Sequence, residues 1–202
     1  MNFVESRKNI FWIPFGIAIV SLIIFTLAII FHWMGEAEGV GGGFCEAGYD
    51  GLIKQPVNTF SNFGFIIVGI SIAWSQAKGN FSENSNLITG GSFFAAFYAT
   101  LSILLGPGSM AMHATTTRVG GFLDMMSMYL VASFIFSYAV TRLFQWKSIG
   151  FTLMFLLALG IQLYVQSLPY KVPFVGFIGS FAFGVFLILT AIIEMFSYFI
   201  RK

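Results

Sequence analysis

Ser109 and His113 stand four residues apart in the segment GPGSMAMHATTT, at the end of one apolar run, and Asp124 opens the next. Four residues make about one helical turn, so the hydroxyl and the imidazole share a helix face. The short link 114–120 folds the following helix back and can set the carboxylate beside them. Ionisable side chains at membrane depth are costly and point to function by default. A histidine, a hydroxyl and a carboxylate gathered in low dielectric can bind a metal or move a proton. The plainer reading of the same residues is interhelical hydrogen bonding, which serves equally for Asn58, Ser61, Asn62 and Ser127.

The elements that must position these groups follow from composition. Apolar residues make up 57% of the 202 and charged residues 9%, far more apolar than one soluble core requires. Six stretches are long enough to cross about 30 Å of hydrocarbon, which takes about 20 helical residues each. They run over 10–34, 57–77, 87–112, 119–141, 149–168 and 172–200. The sequence therefore predicts an all-α, polytopic transmembrane bundle of six helices, treated as a single membrane domain over 1–202. Arg7 and Lys8 before the first stretch resemble a signal peptide. Its apolar run is too long, and no small-residue cleavage site follows, so it reads as a retained helix.

Lysine and arginine set the expected orientation. With six crossings, one side holds Arg7, Lys8, Lys78, Arg142, Lys147, Arg201 and Lys202, and the other only Lys54, Arg118 and Lys171. Both ends are expected in the cytoplasm, which places the acidic loop 35–54 and the ends carrying His113 and Asp124 outside. A net charge of +2, dispersed along the chain, argues against nucleic acid as a partner. Gly41–Gly43 is a poor helix former, 79–85 is a polar turn, and Pro169 and Pro173 bracket the last outer turn. The single cysteine, Cys45, has no partner for a bridge within the chain. Met125, Met126 and Met128 read as packing, and Glu194 is expected to reach toward Arg201.

Several motifs occur in a recognisable order: Phe44-Cys45-Glu46, then Gln55-Pro56-Val57-Asn58-Thr59-Phe60-Ser61-Asn62, then Ser109-x-x-x-His113, and eleven residues on Asp124 with Ser127-Met128. Over about residues 44–130 this resembles the alkaline ceramidase family of membrane hydrolases. That family shares a superfamily with adiponectin-receptor-like and GPI-remodelling proteins. The resemblance implies a seven-helix core with zinc held by three histidines, one being His113 and two coming from an H-x-x-x-H pair on the last helix. That pair is absent, for the chain has two histidines and His32 lies on the extra first helix, 10–34. The region 44–202 then reads as five of the seven core helices, an incomplete core with an incomplete zinc site. Glu46 would be the vestige of a calcium site whose other positions read Gly43, Gly48 and Gln55, so calcium is not expected.

The implied reaction is hydrolysis of the amide of a ceramide-like lipid entering from the bilayer, releasing fatty acid and sphingoid base. Zinc would activate water, Asp124 would accept and return its proton, and Ser109 would donate to the oxyanion. Asn58, Asn62 and Ser127 would support the ligands or meet polar groups of the substrate. Two alternatives stand beside this one: a non-catalytic receptor or scaffold of the same superfamily, and a membrane haem protein ligated by His32 and His113.

Overall fold

The computed structural model describes residues 3–42, 46–79, 92–172 and 176–200. Cys45, Gly43, Pro173, Arg201, Lys202 and most of the 79–85 turn lie outside them. Seven helices are described: α1 Phe3–Ile30, α2 Pro56–Ser61, α3 Phe63–Lys78, α4 Ser92–Thr115, α5 Arg118–Phe144, α6 Ser148–Gln166 and α7 Ile178–Ile200. With α2 and α3 counted as one crossing they make six membrane spans. Large apolar side chains such as Ile23, Ile67, Leu156 and Ile192 stay exposed along them, the arrangement that lipid requires and water penalises. The chain is an integral, multi-pass membrane protein.

The chain forms two compact units, 1–127 and 128–202, with the division falling within α5. In the first, α1, α3 and α4 pack on one another, and α2 packs on α4. Ala18, Ile66, Ile103 and Met110 form its core. The approach is close because a Cβ on Gly69 would sit 2.7 Å from the Ala99 carbonyl, and one on Gly106 would sit 3.0 Å from that of Asn62. Small residues let helix backbones meet in a bilayer, where no hydrophobic force drives them together.

In the second unit α6 packs on α7, and Ala132, Ala158 and Phe186 form the core. Buried Gln162 donates to Ser133 Oγ at 2.8 Å. Glu194 forms an ion pair with Arg142; Arg201, toward which it is expected to reach, lies outside the described residues.

The largest departures from the hydropathy reading have backbone causes. The first helix ends at Ile30 rather than 34, because His32 adopts φ +51°. The amides of Trp33 and His32 then bond back to Ala28 and Ile29, the Schellman pattern of a helix end. The second span bends at Asn62, whose amide bonds Thr59 at 3.3 Å. The last helix starts at Ile178, not 172, because Lys171–Val172 pairs antiparallel with Gly176–Phe177; proline on either side of that segment lacks the amide a helix needs.

Candidate functional site

The site lies at the C-terminal end of α4, and its geometry begins with two glycines. A Cβ on Gly108 would lie 2.9 Å from the Leu123 carbonyl and 2.7 Å from Ser127 Oγ, and one on Gly120 would lie 2.6 Å from the Ala111 carbonyl. Their bare backbones let α4 and α5 touch. The link between the helices is a tight turn. Thr116 takes φ +52°, and the Thr117 hydroxyl accepts the Gly120 amide at 3.0 Å, capping α5.

These contacts bring Ser109, His113 and Asp124 together. Ser109 comes close enough to Asp124 for its hydroxyl to act on the carboxylate, and Asp124 close enough to His113 for their charges to interact. All three are buried. Ser127 is buried behind them and donates to the Asp124 carbonyl at 2.7 Å, so it steadies the turn of helix that carries the carboxylate. Asn62 is also buried, and its side-chain amide donates to the Asn58 carbonyl at 2.8 Å. The half-buried Asn58 gives its backbone amide to Glu46 Oε2 at 2.7 Å.

The last carbonyls of a helix have no intrahelical partner, and at α4 the loop before α2 supplies them. Gln55 N–H bonds the His113 carbonyl at 3.0 Å, Lys54 N–H bonds that of Ala114 at 2.9 Å, and the amides of Glu38 and Val40 both bond that of Thr116 at 3.0 Å. The loop is thereby fastened over the site. Sequence reasoning gave no role to the most buried of its polar side chains. Gln55 Oε1 lies 2.6 Å from His113 Nδ1, and its Nε2 donates to the carbonyls of Gly41 at 3.2 Å and Glu46 at 3.0 Å. A buried glutamine immediately before a helix-starting proline was the one available signal. The Glu46 carboxylate accepts the amides of Val57 and Asn58 at 2.9 and 2.7 Å, where it caps α2, and its charge also acts on His113.

His32 is exposed in the turn after α1, where it lines an open pocket of about 450 Å³ with Glu36, Lys54 and Thr115. Among the described residues no three His, Cys, Asp or Glu side chains gather closely enough to hold a metal ion. One imidazole and two carboxylates do not match the three-nitrogen donor set of a zinc hydrolase. The zinc implied by the motif resemblance therefore does not fit the donors described. What remains is an acid–base cluster in a buried setting: a carboxylate with a hydroxyl donor, and an imidazole held at one nitrogen.

A family model described as ceramidase matches residues 43–202. No curated protein and no solved structure matches the chain.

Proposed function

The match spans most of the chain, which belongs to the ceramidase family, and from that premise we propose that it hydrolyses the amide of ceramide-like lipids drawn from the bilayer. The observation that carries this reading is the burial of Ser109, His113 and Asp124 together where the glycine backbones let α4 and α5 touch. A carboxylate can take a proton from water as the oxygen attacks the amide carbon, then return it to the nitrogen as the C–N bond breaks. Products are a fatty acid and a free amine. At rest the Ser109 hydroxyl would donate to the nearby carboxylate. Once Asp124 holds the proton it needs that bond less, and the hydroxyl is released to the oxygen that gains charge. Ser127 and the glycine contacts hold the two helices so that this exchange happens over a short distance.

No step is assigned to zinc. A second reading is a non-catalytic lipid receptor or scaffold of the same superfamily. One assay separates the two. Membranes of cells making the protein from its own gene should release labelled fatty acid from ceramide, and Asp124→Asn should remove most of that release. Release unaffected by Asp124→Asn refutes the role of the carboxylate. Saturable ceramide binding without release supports the receptor.

A further inference from the structure

Gln55 is 1% exposed, and each polar atom of its side chain has a partner. The nitrogen faces two backbone carbonyls, those of Gly41 and Glu46, and the oxygen faces the ring of His113. A side-chain amide donates only from nitrogen and accepts only at oxygen. If it were turned over, oxygen would oppose two carbonyl oxygens, and three bonds would be lost to gain at most one. A buried polar group left unpaired costs about 1–3 kcal/mol, so the carbonyls of Gly41 and Glu46 fix which way the amide points.

The Oε1 atom can only accept, so at 2.6 Å its neighbour Nδ1 must carry the hydrogen. We infer that Gln55 sets the tautomer of His113, with the hydrogen on Nδ1 and the lone pair on Nε2. The same residue grips the histidine twice, because its backbone amide also bonds the His113 carbonyl. Gln55 is thus a positioning residue, acting through the ring on the group that Nε2 meets. Glu46 registers the arrangement: its carbonyl takes the Gln55 amide while its carboxylate holds the first turn of α2. The consequence for hydrolysis rests on the function proposed above; the tautomer does not, and it can be read without turnover.

The chain has two histidines, so His32→Asn leaves one imidazole signal. Asparagine is chosen because it tolerates the positive φ at that turn. With ¹⁵N-labelled histidine in detergent micelles, at a pH where the ring is neutral, long-range proton–nitrogen correlations identify the nitrogen that bears the hydrogen. The expected result is a single tautomer protonated at Nδ1. In Gln55→Met, which keeps length but offers no amide oxygen, that preference should be lost while the helical circular dichroism is kept. Protonation at Nε2 in the protein with Gln55 intact overturns the inference, and that spectrum decides even if Gln55→Met fails to fold. A folded Gln55→Met that retains the Nδ1–H tautomer overturns it as well. Absent lipid hydrolysis with the Nδ1–H tautomer present would count against the proposed function alone.

Discussion

Replacing Gly108 with alanine tests whether the contact between α4 and α5 is as close as the site requires. The added Cβ would stand 2.9 Å from the Leu123 carbonyl oxygen, whereas ordinary contact begins at 3.4 Å, so backbone must retreat by about 0.5 Å (3.4 − 2.9). Ser127 offers no escape, with its Oγ and Cβ at 2.7 and 2.8 Å. Overpacking of this kind costs ~1–3 kcal/mol, while glycine-to-alanine in a helix returns up to ~1 kcal/mol. The expected net loss is about 1 kcal/mol on those two figures, read from denaturant unfolding in mixed micelles. Gly64→Ala is the control, since nothing lies within 4 Å of its Cβ position; it should be neutral or slightly stabilising. Ser127→Gly removes two of the three crowding atoms, so the double variant with Gly108→Ala should be more stable than the sum of the singles by at least about 0.5 kcal/mol, the usual coupling of contacting residues. Additive effects, or a Gly108→Ala as stable as Gly64→Ala, would refute the close approach and the route by which Asp124 reaches Ser109.

Two further outcomes follow from the cluster and the charges. Asp124→Asn should lower amide hydrolysis by about 10²–10⁴-fold, the usual loss of a general acid–base group, and Ser109→Ala by about 10²–10³-fold, the loss of one oxyanion donor; an active Asp124→Asn beside a dead Ser109→Ala would point to serine as the nucleophile. The lysine and arginine distribution predicts that both ends of this chain face the cytoplasm, so tags at either end should resist protease added outside intact cells, and cleavage of only one of them would mean an odd number of crossings.

The six crossings were legible because hydropathy over about 20 residues is a strong, local signal. What hydropathy could not show is where backbone geometry ends a helix inside an apolar run. His32 stops α1 by adopting a positive φ, and nothing in Phe31-His32-Trp33 distinguishes it from a helical residue. Ser109, His113 and Asp124 were legible for a different reason: helical spacing and a short link restrict where they can lie, and the structure brings them together. Gln55 was not. Its partner is 58 residues away, and its orientation depends on two backbone carbonyls of a loop with no periodic pattern. Long-range polar contacts of that kind emerge only from the packed chain.

Glu46 illustrates how such a contact supports the site, and it yields the last prediction. Its two carboxylate oxygens accept the amides of Val57 and Asn58, donors that the first turn of a helix leaves unpaired. A negative charge at that end is also favoured by the helix dipole. Removing an N-capping side chain costs about 0.5–2 kcal/mol, and the bond to Val57 is exposed, so Glu46→Ala should fall in the middle, near 1 kcal/mol. The backbone carbonyl of residue 46 survives the substitution. Gln55 therefore keeps its anchor at that atom, and the His113 tautomer should persist even though stability falls. Glu46→Gln retains acceptor oxygen but one donor-bearing nitrogen replaces the second, so it should recover only part of the loss. Unfolding measurements on the three proteins, with the histidine nitrogen spectrum of each, check both halves. Unchanged stability in Glu46→Ala would mean that the carboxylate does not hold α2, and a lost tautomer at full stability would mean that it acts on the ring directly.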